Sequence, residues 1–304
     1  MTESSSVDDA VGGRTGRLSS ITVRKGAFEF PGDVPAHWIP GEPEFSQMIN
    51  GASFVMPHLE PFLVATVAEA GRALTDAGVR QEARDFCLQE TQHYRTHRRF
   101  NDALLANGYA KLADVEAAMA LSYQRLATRP IGRRLAYAAG FEAMTLGMTR
   151  WLVTQRLRLF RGADPRMTSF ILWHMVEETE HKRVAHDVYM ALTPGYWQRV
   201  AGLLHGTWDV IRWTRRSYVA LLKLDRRWST VRGRLKVWSW AARFLAGATP
   251  AVLLALLPGH DPRSVTHPEW VDEWIKGYAN SRRDMRAGEM PLIDTLSPTM
   301  PVPF

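Results

Sequence analysis

A single cysteine, Cys87, stands in 304 residues, so neither an intramolecular disulfide framework nor a cysteine-based zinc site is open to this chain. Long apolar runs are missing too. None approaches the ~18–20 consecutive apolar residues of a membrane-spanning helix, and the most apolar stretch, 245–258, is short and carries two prolines. The N-terminus has no signal-peptide apolar region. No strand-turn-strand pattern shows after residue 45, and no repeat recurs at a solenoid period. These absences point to an all-α protein of a reducing, cytoplasmic compartment. Core material is plentiful: 46% of residues are hydrophobic and eleven are tryptophan, which excludes wholesale disorder.

Residues 1–20 are rich in Ser, Gly and Asp with almost nothing to bury, and read as a disordered tail. Residues 21–304 read as one helical domain. Ile21 to Phe30 loosely alternates, as a short extended arm would. Gly and Pro clusters at Asn50-Gly51, Gly78, Asn107-Gly108, Arg129-Pro130, Pro194-Gly195 and Pro258-Gly259 mark breaks. Between them the pattern predicts helices near 57–77, 80–107, 113–127, 131–161, 165–192, 197–224, 229–257 and 268–287. The bundle core covers about 45–192, with amphipathic C-terminal helices over about 197–287.

One short motif occurs twice. Glu90-Thr-Gln-His93 and Glu178-Thr-Glu-His181 both place a carboxylate and an imidazole three residues apart, one turn along a single helix face. Two more carboxylates, Glu60 and Glu142, sit in apolar surroundings, where an unpaired charge is costly. Each residue has an ordinary reading as well. Glu90 reads as a solvated helix residue, His93 as a core histidine, and Glu60 as an acid at a helix start beside Pro61. Glu142 is hardest to explain that way, with no charge within three residues on either side. His174 precedes Glu178 by four residues and extends its stripe, as a third nitrogen ligand or as an interior histidine. His97 follows His93 by one turn, in a second-shell or an exposed place. His186 lies round the helix from the stripe and reads as packing, pocket lining or second shell. Glu177 and Glu180 read as solvated or paired with Lys182 and Arg183. Thr145, one turn after Glu142, reads as a pocket hydroxyl or as a threonine bonded to its own helix.

The order Glu, Glu-x-x-His, Glu, Glu-x-x-His on four long helices resembles the ferritin-like di-iron and di-manganese carboxylate bundles. Four carboxylates and two divalent cations balance in charge, whereas four bare carboxylates in an apolar bundle repel. Oxygen and imidazole donors without thiolate suit iron or manganese. The run Trp173-His174-Met-Val-Glu177-Glu178-Thr-Glu180-His181 to Tyr189, with Pro57-x-x-Glu60 and Glu90-Thr-Gln-His93, resembles the bacterial "predicted metal-dependent hydrolase" family over roughly 25–290. The spacing of His174, Glu178 and His181 is also similar to that of the di-iron arylamine N-oxygenases. The resemblance implies a ferritin-like bundle with Glu60, Glu90, His93, Glu142, His174, Glu178 and His181 as ligands. From it we expect two iron ions, with manganese as the alternative, and an O2-dependent oxidoreductase acting on an apolar or aromatic small molecule. O2 is then a co-substrate, and electrons come from an external donor, because no nicotinamide or flavin fingerprint is present. A dinuclear hydrolase with the same ligands is one rival reading. A non-catalytic metal store or lipid carrier is another.

The charge is unevenly spread. Residues 198–244 hold eleven Lys/Arg against Asp209 and Asp225, a balance of +9 where the whole chain carries +7. Trp208, Trp213, Trp228, Trp238 and Trp240 are interleaved with them. Three readings compete: Trp packed on the bundle with Arg facing water or a homodimer mate, peripheral membrane contact through 198–244, and nucleic acid, which is disfavoured because no recognition motif is visible.

Overall fold

The computed structural model describes residues 21–30, 32, 34–281, 292–293 and 301–302. The expected tail at 1–20 lies outside them. The described fold is an all-α bundle: α1 (Pro43–Ser53), α2 (Met56–Gly71), α3 (Ala77–Leu104), α4 (Ala113–Ala127), α5 (Ile131–Leu159), α6 (Pro165–His181), α7 (Val184–Leu192), α8 (Tyr196–Leu224), α9 (Val231–Leu256) and α10 (Glu269–Ser281). A two-residue antiparallel ladder joins Leu292–Ile293 to Pro301–Val302, a pairing too short to leave a strand pattern in the sequence.

Local chemistry sets several helix starts. Asp76 accepts from the Val79 amide to cap α3, and Thr230 accepts from Gly233 to cap α9. Asp164 accepts from Arg166 and Met167 with Pro165 in the first turn of α6. Several expected boundaries moved, among them Gly78, which lies inside α3. Asn50-Gly51 is no break: α1 runs through it, and a Cβ on Gly51 would meet the Tyr218 backbone. Asn50 is interior, accepting from Trp38 Nε1 and donating to the Ala36 carbonyl. These long-range contacts override the local turn signal. The expected helix 165–192 is two helices, parted at Lys182–Arg183. There Lys182 Nζ donates to the Val265 carbonyl, and Arg183 pairs with Glu82 and Asp187.

Helices α2, α3, α5 and α6 surround the interior that holds every candidate ligand. Helix α6 is buried almost all round, as a core helix must be. Helices α8 and α9 lie on α5 at close range. A Cβ on Gly140 would strike the α8 backbone at Gly202 and Leu203, and one on Gly147 would strike Ala248 and Ala251 of α9. The basic, Trp-rich block divides accordingly. Trp213 and Trp240 are buried, whereas Trp208 and Trp238 face outward. Trp240 stacks on Phe45 at 4.2 Å and donates to Glu42, which also pairs with Lys236. Helix α9 is long and apolar enough to cross a membrane by length and composition, because its few charges gather in its N-terminal half and leave the rest apolar.

Candidate metal centre

Glu60 comes from α2, Glu90, His93 and His97 from α3, Glu142 and Thr145 from α5, and His174, Glu178 and His181 from α6. All are buried. Donor atoms of Glu90, His93, Glu178 and His181 lie within 4.8 Å of one another, and so do those of Glu60, His97 and His174. His174 Nε2 joins the groups, 2.8 Å from Glu178 Oε1 and 3.6 Å from Glu60 Oε1. Glu142 Oε2 stands 3.3 Å from His181 Nδ1. The two Glu-x-x-His motifs therefore meet each other instead of each holding a separate place.

The donor set fits divalent metal. Seven oxygens of Glu60, Glu90, Glu142 and Glu178 are buried without a hydrogen-bond partner, as are His93 Nδ1 and both His181 nitrogens. Orphaned groups on this scale are far too costly to be left unmet. Two divalent cations would meet them and cancel the four carboxylate charges. Glu60 is not the helix-start acid of its ordinary reading, because α2 begins at Met56 and runs through Pro61.

Without metal, the cluster balances itself with protons. Burial, then the Glu90 charge, pushes Glu60 well above the usual carboxylate range. Burial and Glu178 push Glu142 up to about 8. Burial works against charging His181, but Glu178 and Glu142 outweigh it and raise the imidazole to about 9. His93 is raised well above its ordinary value against the same burial cost, chiefly by its hydrogen bond to Glu177. Glu178 is held at about 2: burial opposes this, and the His181 charge and the His174 hydrogen bond prevail.

Two supporting chains orient the imidazoles. His93 Nε2 lies 2.9 Å from Glu177 Oε2, which leaves Nδ1 toward Glu90 and Glu178. Glu177 is in turn held by Arg24 at 3.0 Å, and Arg24 grips Glu180 through two nitrogens at 2.7 and 2.8 Å. The expectation that Glu177 and Glu180 are solvated or paired with Lys182 and Arg183 is thus overturned. Both face the guanidinium of the N-terminal arm, and Gln89 also donates to Glu180. Sequence reasoning missed Arg24. A lone Arg in an extended arm carries no spacing signal, and its partners are more than 150 residues away.

The second chain runs through His97. Ser53 Oγ donates to Asn101 Oδ1 and lies 2.7 Å from His97 Nδ1. His97 Nε2 lies 2.8 Å from His174 Nδ1, and the other nitrogen of His174, Nε2, is turned to Glu178 and Glu60. Burial lowers both histidines, His97 strongly, so both are neutral, as the chain requires. His97 thus packs its imidazole directly on that of His174. His186 has no such part. It sits in α7, beyond the break after His181, with Asp187 3.6 Å away. The break between α6 and α7 parts it from the stripe of His174, Glu178 and His181.

An apolar chamber of about 150 Å³ opens beside the cluster. Glu178, His174, His97, Ser53 and Thr145 edge it, and the remaining wall is nearly all apolar, including Met48, Met56, Met144, Met148 and Met175. Thr145 Oγ1 is buried there with no partner, so it does not bond its own helix backbone. Phe86, Trp173 and Phe170 pack edge-on against His181, His93 and His97. Cys87 packs at the edge of the core, and burial pushes its thiol up to about 12, far from a reactive thiolate.

The sequence model of the family described as "Predicted metal-dependent hydrolase" matches residues 22–265. No curated protein matches the chain, and no solved structure does.

Proposed function

Because the chain belongs to the predicted metal-dependent hydrolase family, we propose that it is a dinuclear metal enzyme that hydrolyses an apolar small molecule bearing an ester or amide bond. One observation carries this reading. A buried cluster with seven orphaned carboxylate oxygens adjoins an apolar chamber, which it meets through Glu178 and His174. Glu60, Glu90, His93, Glu142, His174, Glu178 and His181 would hold the ions. Two bound divalent ions supply Lewis acidity and make water acidic enough to act as a nucleophile near neutral pH.

The remaining work falls to the chain. Its apolar walls bind the body of the substrate and exclude bulk water, which strengthens every electrostatic interaction inside. The five methionines let the wall adapt to irregular shapes. The Thr145 hydroxyl, one turn from Glu142, can hydrogen-bond a polar group at the reacting end. Glu177 and His97 hold two imidazoles in the orientation that ligation needs.

O2-dependent oxidation is the second reading. The chamber favours it by offering no carboxylate or imidazole outside the ligands and His97 to serve as general base or acid. The donors also include several carboxylates able to bridge and shift. That chemistry requires an external electron donor and iron or manganese.

The test uses the stripped protein reloaded with zinc, manganese or iron and offered apolar nitrophenyl esters and anilides. The hydrolase reading expects turnover under nitrogen with zinc or manganese. Turnover confined to iron, reductant and O2, with O2 consumed, replaces it by the second reading. Glu90→Ala with His181→Ala should abolish bound metal while the helical circular dichroism persists. Full metal content in that double variant refutes the ligand set.

A further inference from the structure

We propose that the outer faces of α8 and α9 form a docking surface for an anionic lipid bilayer. Most surface helices turn one apolar stripe inward. These two helices carry a second one, turned out. On α9, Val231, Leu235, Trp238, Ala242, Leu245 and Leu253 are all exposed. Their spacings keep them within a narrow arc at ~100° per residue. On α8, Trp197, Ala201, Leu204, Trp208 and Ile211 repeat the pattern and are also exposed.

The concentration is the decisive point. Twelve of the sixteen large apolar residues exposed among the described residues fall within 196–257, and Trp208 and Leu235 each reach 65% exposure.

Both stripes point the same way. Helix α8 meets α5 through Gly202 and Gly206, and α9 meets it through Ala248 and Ala251. On α8 Gly202 and Gly206 lie across the helix from the exposed stripe, and on α9 Ala251 does, so both stripes face away from α5. The helices are also tied together. Tyr196 Oη donates to the Leu256 carbonyl at 2.9 Å, and the Arg199 guanidinium donates to Ala255 and Leu257 carbonyls. Helix α9 lies along the bundle and does not leave it, with Trp240 stacked on Phe45 and Ala248 against Gly147.

Charge chooses the partner. Arg212, Arg215, Arg216, Arg232, Arg234 and Arg243 are exposed on these helices. The two acids of the stretch are turned inward: Asp209 accepts from Tyr137, and Asp225 from Gln47 and Tyr109. The outward charge is therefore uniformly positive around apolar stripes bearing Trp. Phospholipid headgroups with acyl chains beneath them complement that combination.

Ile211 belongs to both the stripe and the chamber wall, which Thr214 and Phe244 also line. The surface would thus bring a bilayer-dissolved apolar molecule to the chamber without a passage through water. This inference extends the proposed substrate class and does not depend on which reaction the metals support.

The experiment is sedimentation of the full chain with vesicles. The chain should sediment with vesicles containing about one-third phosphatidylglycerol, release on raising salt, and ignore pure phosphatidylcholine. Replacing Leu235, Trp238 and Leu253 together by Ser should weaken partitioning about 100-fold. Melting temperature and metal content should stay unchanged, because all three side chains already face solvent. Arg232→Gln with Arg234→Gln should shift release to lower salt. No sedimentation with the anionic vesicles at low salt overturns the inference. So does a dimer in solution that the triple Ser variant converts to monomer, since a second copy would then cover the stripes. Failure here leaves the hydrolysis and O2 assays untouched, so the two conclusions stand or fall separately.

Discussion

Replacing Arg24 by Ala tests whether the N-terminal arm is part of the metal centre. The guanidinium is 1% exposed and makes one contact to Glu177 and two to Glu180. Its face also lies 5.3 Å from the Trp274 ring centre and 5.1 Å from that of Tyr278. Truncation leaves two buried carboxylates short of their cation. Breaking a buried pair from one side costs about 3–5 kcal/mol. For a chain of this size that lowers the melting temperature by ~6–15 °C. Glu177 also loses its anchor against His93 Nε2, so metal affinity should fall about 10–100-fold. Calorimetric melting and a competitive chelator titration read the two effects separately. Glu180→Gln should lower stability while sparing affinity, because Glu180 does not touch His93. If Arg24→Ala melts within about 2 °C of the parent and binds metal as tightly, the arm does not orient His93 and the argument fails.

Three further outcomes follow from the same geometry. In the metal-free protein, Glu142 at about 8 keeps its proton above the 4.5 of an ordinary carboxyl, and His181 at about 9 keeps its proton above 6.5. The folded state then binds more protons than the unfolded chain, so stability should fall as pH rises from about 5 to 9. Metal loading should flatten that slope; equal slopes for the two forms would contradict the protonation scheme. Loading at pH 7 should release about two protons per chain, from Glu142 and His181, read by calorimetry in buffers of differing ionisation enthalpy; release near zero would mean the cluster holds no such protons. Gly202→Val should destabilise by about 3 kcal/mol or more, because its side chain would enter the Ala136 backbone and part α8 from α5. A variant that melts like the parent would deny that close approach.

The pattern of candidate ligands was legible because its signal is local. An i, i+3 spacing on a helix aims two donors the same way whatever surrounds it, and an acid such as Glu142 among apolar neighbours is conspicuous in the chain itself. The all-helical class followed from periodicity and from sparse strand patterns. What supports the ligands was not legible. Glu177 neighbours Glu178 and looked like one more charge beside Lys182 and Arg183. Only the fold brings Arg24 and His93 to it. The alternatives left open for His97 and Thr145 were likewise decided by contact: His97 by Ser53 and Asn101, and Thr145 by a hydroxyl left unpartnered at the chamber. Asn50-Gly51 shows the reverse failure, a strong turn signal overruled by the packing of α1 on α8.

By itself, then, the sequence determined the helices, the donor types and their order along the chain. These depend on backbone period and side-chain chemistry within a few residues. The tertiary structure alone decided which carboxylate steadies which imidazole, which histidine packs on His174, and which tryptophans face inward. Each of these is a distance between residues far apart in the chain, and only the packed helices set such distances.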